Sequence, residues 1–209
     1  MNNRKVYISG KIVPEVDAKI SIFDSAVLLG DTVTESTRTF NFKPFKLDEH
    51  LERLYKSFKL TRIDPQMTIE EMKKVSLELL EINKDNYKAN EDCWLVHNIS
   101  RGHSITGGNP ALQVSKPTVM IYTQPMNLVL WAPFYTKGCH AVTPPTRMVP
   151  SQSLDARIKN RSRLFYTLAE IEAKLVDPDA QSVILDIHGN VAENKGGNIF
   201  IIKDGKLIT

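Results

Sequence analysis

Strict alternation and helical spacing of apolar residues predict strands and helices in the first half of the chain. KVYISGKIV turns at Ser9-Gly10, and the alternating stretch DTVTESTRTFNFKPFKL is broken at Asn41 to Lys43, so each predicts a strand pair. In LDEHLERLYKSFKL the residues Leu51, Leu54 and Phe58 and, less regularly, Leu47 lie on one helical face. Thr68 with Glu71 forms a capping box ahead of MKKVSLELLEI, which predicts a second helix. The segments CWLVHNIS and PTVMIYTQP then predict two more strands.

A second group of elements follows the proline-marked stretch VTPPTRMVPSQS. A helix is predicted from about Arg161, with Leu164, Leu168, Ile171 and Leu175 at helical spacing, and SVILDI predicts a strand after it. Asp204-Gly205 joins NIFIIK to KLIT in a final hairpin. We therefore expect a two-domain α/β (α+β) fold with an N-terminal α+β domain at residues 1–125, a linker at 126–135, and the first part of a second domain at 136–209.

The last predicted strand ends with the chain itself and leaves an open sheet edge. We interpret this open edge as a sign that the sequence is unfinished.

Composition narrows the class of protein. With 42% hydrophobic and 24% charged residues among 209, and a net charge of only +3, the chain is expected to be globular and without a basic stripe for nucleic acid. No apolar run reaches the roughly 20 residues that span a bilayer, and MNNRKVYISG lacks the apolar stretch of a signal peptide. We expect a cytoplasmic location and no membrane association. Cys93 and Cys139 have no metal-site spacing and are expected to be reduced and buried.

Familiar catalytic motifs are absent from the sequence: it has no Walker loop, GxGxxG, HExxH or nucleophile elbow. Four places could still hold a functional residue. Arg53 lies on a predicted helix, Arg101 precedes a glycine at a strand end, Lys159 stands between an extended stretch and a helix, and Glu193 precedes Gly196-Gly197, whose amides could meet an anion. Each has an ordinary alternative: a solvated cation, a turn, a surface charge or a flexible polar loop.

The arginines that surround Lys159 in SLDARIKNRSRLFY, namely Arg157, Arg161 and Arg163, are interpreted as a solvated rim or helix face.

Four motifs, taken in order, resemble the class IV (fold type IV) pyridoxal-phosphate aminotransferases, a group that contains branched-chain and D-amino-acid aminotransferases and aminodeoxychorismate lyase. DSAVLLGDTVTESTR resembles the family's aspartate-to-GDGxFExxR segment, and KPFKLDEHLERL resembles its helix ending in HLxRL. DARIKNRSRL is similar to the segment with the Schiff-base lysine. GNVAENKGGNIF is similar to the segment in which a glutamate precedes an asparagine by five residues. The resemblance covers essentially the whole chain. Because family members continue beyond the equivalent of KLIT, it also implies that the chain is a fragment, or one piece of a cleaved polypeptide whose C-terminal part a second polypeptide supplies.

The resemblance implies a role for each of several polar residues. Lys159 would form the aldimine with pyridoxal 5'-phosphate (PLP) and carry the proton between substrate and cofactor. Arg53 would bind the cofactor phosphate, and Glu193 would pair with the pyridine nitrogen. Gly196 and Gly197 would lie beside the cofactor, and no metal is implied.

On the substrate side, the resemblance implies contacts from Arg101 and from the residue at position 34. Family members carry an aromatic residue in GVFE or GVYE, whereas this chain reads TVTE with Thr34 at the ring position. Trp94-Leu95-Val96 also lacks the tyrosine-x-arginine of many branched-chain enzymes.

The implied activity is the transfer of an amino group from a branched-chain-like or D-amino acid to a 2-oxo acid such as 2-oxoglutarate, in a homodimer. Aminodeoxychorismate lyase and an R-selective amine transaminase are alternatives of the same fold. A non-catalytic scaffold protein is the alternative from another class.

Overall fold

A computed structural model describes residues 3–88, 91–104 and 116–209 of the chain. The chain divides into two compact units, the first comprising Met1–Met126 with Arg157–Ser162 and the second Asn127–Ala156 with Arg163–Thr209. This division lies next to the expected domain end at residue 125. Two stretches lie elsewhere than expected: most of the predicted linker, residues 127–135, belongs to the second unit, and residues 157–162, which include Lys159, belong to the first. Within the described ranges no helix has the length and apolar character that crossing a membrane requires.

The first unit is built on a six-stranded antiparallel sheet with the order β2-β1-β6-β5-β3-β4. The strands are β1 (Lys5–Ile8), β2 (Lys11–Pro14), β3 (Thr32–Phe40), β4 (Lys43–Pro44), β5 (Cys93–Ser100) and β6 (Thr118–Pro125). The predicted turns at Ser9-Gly10 and after Phe40 are confirmed, since both central residues of each turn have positive φ. This is the turn geometry that matches the right-handed twist of paired strands.

Among its described residues the first unit has the helices α1 (Ser25–Leu29), α2 (Leu47–Thr61) and α3 (Ile69–Asn83). Three-residue 3-10 turns occupy Glu15–Asp17 and Lys84–Asn86. The predicted apolar face of α2 is confirmed, because Leu47, Leu51, Leu54 and Phe58 are buried. The predicted capping box of α3 is confirmed as well, with Thr68 and Glu71 bonded in both directions. Together with Val33, Ile99 and Ile121 of the sheet, α2 and α3 form the main hydrophobic core.

The second unit contains a three-stranded sheet, a hairpin and two helices. In the sheet, β7 (Ala141–Val142) pairs in parallel with β8 (Gln181–Leu185), which pairs antiparallel with β9 (Val191–Asn194). The hairpin joins β10 (Ile201–Lys203) to β11 (Lys206–Ile208) through the predicted Asp204-Gly205 turn. The helices are α4 (Phe134–Lys137) and α5 (Leu164–Val176), and Leu128–Leu130 is a 3-10 turn.

Helix α5 buries a different face from the one its leucines indicate. Tyr166, Ala169 and Ala173 are buried, whereas the leucine and isoleucine stripe is exposed in this unit: Leu164, Leu168, Ile171 and Leu175. Both sets have helical spacing, so periodicity alone does not choose between them. The small alanines let the helix backbone approach β8, and the pattern of large residues hides this preference.

The expectation that both cysteines are buried is wrong for one of them. Cys93 is buried on β5, but Cys139 is exposed in the irregular segment after α4, where no sheet or helix covers it. Both cysteines are free.

Candidate active site

Backbone pairing with the sheet of the first unit fixes the segment that carries Lys159. The Thr34 amide donates to the Lys159 carbonyl (2.8 Å), and the Arg161 amide donates to the Thr32 carbonyl (2.9 Å). The Lys159 amide in turn donates to Ser57 Oγ on α2 (3.3 Å). Lys159 is half-buried. A short β-bridge to β3 therefore holds the predicted catalytic lysine from both sides of its backbone.

The neighbours of Lys159 add further contacts to this segment. Ile158 packs against the hydrophobic core, the Asn160 amide donates to the Ile158 carbonyl (3.0 Å), and the Arg161 guanidinium contacts Asn98 Oδ1 (3.2 Å). The backbone therefore makes a tight turn at Lys159. These contacts fix the position of the lysine on the chain through the residues on either side of it.

Arg53 is held by a buried carboxylate that the motif search did not single out. Its Nε and Nη2 atoms donate to the two oxygens of Glu35 at 2.7 and 2.6 Å, a bidentate pair. The Glu35 side chain is fully buried, whereas the Arg53 side chain is 51% exposed. These two bonds use two of the five N–H groups of the guanidinium. The outer edge of the Arg53 fork is therefore oriented and available to an anion.

His50 completes this arrangement. Its Nδ1 lies 3.0 Å from Glu35 Oε1, and the Ser36 amide donates to the same oxygen (2.9 Å). Burial opposes ionisation of Glu35, but the hydrogen bonds from His50, Arg53 and Ser36 outweigh it and lower the pKa of Glu35 to about 2. Glu35 is therefore ionised at neutral pH and balances the charge of Arg53. A bond to Glu35 in turn raises the pKa of Arg53.

His97 lies directly opposite Glu35 in the sheet and is fully buried. Ser76 Oγ donates to the Met72 carbonyl (2.7 Å), so it accepts from His97 Nε2 at 2.8 Å. Burial lowers the pKa of His97 to about 4. The imidazole is therefore uncharged at neutral pH, on the strand next to the one that carries Glu35.

This burial predicts a loss of stability on mild acidification. Between pH 6.5 and 4 the unfolded chain binds a proton at His97 that the folded chain does not, so the free energy of unfolding falls as the pH falls. The slope from this one group approaches about 1.4 kcal/mol per pH unit. Urea unfolding at pH 7 and below measures it, and the comparison with the His97 variant at each pH removes the contribution of Glu35, which begins as the pH approaches the ordinary glutamate range. We expect His97→Gln to flatten the slope and the exposed His188→Gln to retain it; equal slopes in wild type and His97→Gln would contradict the prediction.

The structure places both predicted substrate-side residues in the first unit, with partners from the chain itself. Thr34 is buried, and its hydroxyl donates to the His97 carbonyl (3.0 Å) beside the backbone bond to Lys159. Arg101 donates to Asp31 Oδ2 (2.9 Å) and to the carbonyls of Thr61 (3.0 Å) and Arg62 (2.8 Å) at the end of α2. Each therefore has a structural task, and a substrate contact from either remains a prediction.

Glu193, Gly196 and Gly197 lie in the second unit, on and after β9. The hydroxyl of Tyr166 on α5 donates a hydrogen bond to Glu193 Oε2. The amides of Gly196 and Gly197 donate to Asn194 Oδ1 at 3.0 and 3.2 Å. The hypothesis that these two amides are free to meet an anion is therefore not supported by the structure, because an asparagine side chain occupies them.

Both glycines nevertheless leave room beside the backbone. Neither has a positive φ, and a Cβ at Gly196 would meet nothing within 4 Å, while at Gly197 it would meet only Asn194 Oδ1 at 3.7 Å. Neither backbone strain nor packing within the chain requires glycine here. Open space of this kind suits close approach of a bound group to the backbone.

Comparison with known proteins assigns the family. The profile described as Amino-transferase class IV matches residues 32–209. A relative from Methanocaldococcus jannaschii, provisionally named a branched-chain-amino-acid aminotransferase, is 38% identical over 205 residues, which are 98% of this chain and 67% of the relative. The D-alanine aminotransferase of Staphylococcus epidermidis is 30% identical over 98% of this chain and 68% of its own length. The chain belongs to the class IV aminotransferases.

A solved member of the family has the same fold. The T.th. branched-chain amino acid aminotransferase, solved with pyridoxamine 5'-phosphate, superposes with a TM-score of 0.86, covering 99% of this chain and 67% of that one, at 24% identity. The predicted fold type IV architecture is thereby confirmed. The chain spans about two thirds of the length of these relatives.

The residues present fit the cofactor of class IV aminotransferases, which is PLP. A half-exposed guanidinium fixed by a buried carboxylate suits a phosphate, and Lys159 is a half-buried amine on a rigid segment. Glu193 offers a carboxylate oxygen, and open space lies beside Gly196.

Motif matching missed Glu35, His50 and Tyr166. For Glu35 a signal was present: alternation along β3 places it on the same face as Val33 and Thr37, which are buried. An acid at a core-facing position needs a cationic or donor partner. Helical spacing puts His50 and Arg53, three residues apart, on the same face to supply it. For Tyr166 no local signal exists, since its partner lies 27 residues away.

Proposed function

We propose that the complete polypeptide containing this chain is a PLP-dependent aminotransferase that moves an amino group from an amino acid to a 2-oxo acid such as 2-oxoglutarate. Family membership supports the reaction class, and one observation carries the site: the Lys159 segment is paired with β3, whose Glu35 orients Arg53. PLP, when bound, supplies an electron sink for negative charge at the substrate Cα.

Four residues of the site have distinct tasks in this proposal. Lys159 Nζ takes the proton from the substrate Cα and later returns a proton, which requires an uncharged amine at the moment of transfer. The outer edge of Arg53 binds the phosphate, and Glu35 keeps the fork in place without reorganisation. Glu193 holds a proton at the ring nitrogen.

The substrate is an amino acid rather than a simple amine. Relatives with the names of branched-chain and D-alanine aminotransferases both cover this chain at 30% identity or more, so both stereochemical classes stay open. Thr34 and Arg101 are proposed contacts on the substrate side. Each would contact the substrate in addition to the hydrogen bonds that it makes within the chain.

The proposed setting is a homodimer in the cytoplasm. The stretch around α1 exposes several large apolar side chains that a second copy could cover: Ile22, Phe23, Val27, Leu28 and Leu29. Two free cysteines are in keeping with a reducing compartment. Sedimentation equilibrium of the complete polypeptide tests the dimer.

An amino-donor screen tests the activity. Leucine, D-alanine and R-phenylethylamine are each supplied with 2-oxoglutarate, and glutamate is measured. We expect turnover with leucine or D-alanine. Turnover with R-phenylethylamine alone would indicate an amine transaminase, and pyruvate released from aminodeoxychorismate without an acceptor would indicate a lyase. No turnover with any donor, in protein that is folded and supplied with PLP, would favour the scaffold alternative.

A further inference from the structure

The first turn of α5 is hydrogen-bonded to the strand that carries Glu193. Tyr166, 7% exposed, donates its hydroxyl hydrogen to Glu193 Oε2. Glu193 pairs in register with Ile184 of β8, and Ile184 is fully buried. A carboxylate on a paired strand is thus bonded to a hydroxyl on a packed helix. Both ends of this contact belong to the second unit.

Arg163, the residue directly before α5, makes a second contact with the same region. Its guanidinium carbon lies 4.9 Å from the centre of the Tyr166 ring, and its Nη1 donates to the Lys195 carbonyl (3.2 Å). The Phe165 ring also packs against Tyr166, with 4.2 Å between the two ring centres. The sequence-based interpretation of Arg163 as part of a solvated rim is therefore wrong. This arginine is half-buried and ties the helix to the residues after β9.

In the hydrogen bond between Tyr166 and Glu193, the tyrosine is the donor. Burial raises the pKa of Tyr166, and the adjacent Glu193 carboxylate raises it further, so the hydroxyl keeps its proton at neutral pH. Tyr166 is therefore a donor, and only Oε2 of the carboxylate is engaged by the residues that the structure describes. The other oxygen, Oε1, is left for a second donor.

We propose that Tyr166 is the positioning residue for Glu193, holding one carboxylate oxygen so that the other meets the protonated ring nitrogen of PLP. This inference rests on the proposed function. A neutral donor fixes the side-chain rotamer without competing for charge, so the carboxylate keeps its full attraction for a cation on the opposite side. Arg163 fixes Tyr166 in turn through its ring.

Tyr166→Phe tests this assignment, because it removes the hydroxyl and keeps the ring that Arg163 and Phe165 contact. We expect kcat to fall about 10–100-fold, the range that corresponds to a hydrogen bond with a charged partner, with little change in KM for the 2-oxo acid. We also expect the nitrogen-15 resonance of ring-labelled PLP to move toward the unprotonated position. Tyr135→Phe is the matched control, since Tyr135 is an exposed tyrosine of the same unit.

The outcomes separate the inference from the proposed function. Unchanged kcat and an unchanged nitrogen resonance in Tyr166→Phe, with wild type active, would overturn the inference alone. A lower melting temperature with an unchanged resonance would show a merely structural role and would also overturn it. If Tyr166→Phe fails to fold, Arg163→Gln, which loosens the ring but keeps the hydroxyl, should shift the resonance in the same direction by a smaller amount. If the wild-type complete polypeptide binds no PLP, both proposals are overturned.

Discussion

Replacing Lys159 by alanine is expected to abolish transamination and to leave the fold intact. The loss in rate should reach about 10⁴-fold or more, because the amine both binds the cofactor and moves the proton. The fold should survive, since the segment is held through the backbone of Lys159 and the packing of Ile158 rather than through the lysine side chain alone. Steady-state rates with the best donor, together with circular dichroism and a melting curve, measure the two effects separately.

A matched lysine shows whether the effect is specific. Lys174 lies on α5 with its side chain 43% exposed and forms an ion pair with Glu170 at 3.6 Å, so Lys174→Ala should keep full activity. Borohydride reduction of the PLP-loaded polypeptide followed by peptide mapping should place the label on Lys159. Measurable turnover in Lys159→Ala, or a label on another lysine, would refute the assignment.

Replacing Arg53 by alanine is expected to weaken both folding and phosphate binding. The change leaves the Glu35 carboxylate fully buried, with only His50 and the Ser36 amide as partners among the described residues. Breaking a buried ion pair from one side costs several kcal/mol, but the Arg53 side chain is 51% exposed and screened by solvent, so we expect about 2–3 kcal/mol. Urea unfolding without cofactor measures this loss, and titration with PLP measures the loss in affinity.

A double variant separates the two roles of this arginine. Adding Glu35→Gln to Arg53→Ala removes the stranded charge, so part of the lost stability should return at neutral pH. Affinity for PLP should stay low, since the guanidinium is still missing. Lys56→Ala, on the exposed side of the same helix, should change neither quantity. Binding of PLP by the double variant as tightly as by wild type would show that Arg53 does not hold the phosphate.

Local chemistry accounts for the parts of the fold that sequence predicted well. The capping box at Thr68 and Glu71, the turn at Asp204-Gly205 and the leucine face of α2 each involve residues within a few positions of one another. Their hydrogen bonds and burial are determined by spacing, so a single sequence reveals them. The order of four motifs similarly identified the family, which the comparisons confirm.

Contacts between distant residues account for what sequence did not predict. The bond of Thr34 to Lys159 joins residues 125 positions apart, and that of Tyr166 to Glu193 joins residues 27 apart. Asn194 Oδ1 accepts hydrogen bonds from the amides of Gly196 and Gly197, which the sequence had left open to an anion or to a flexible polar loop. On α5 two faces have the same period, and the approach to β8 decided which one is buried.

The order of the motifs identified the family, and local spacing predicted strands β1–β6 and β8, helices α2, α3 and α5 and the final hairpin, but not α1, α4, β7 or β9. Folding in three dimensions places Glu35 and His50 against Arg53, pairs the Lys159 segment with β3, and brings the Tyr166 hydroxyl to Glu193. The difference lies in the range of the interactions. Propensity, capping and turns act over a few residues, whereas a buried polar group takes whichever partner the folded chain brings within hydrogen-bonding distance.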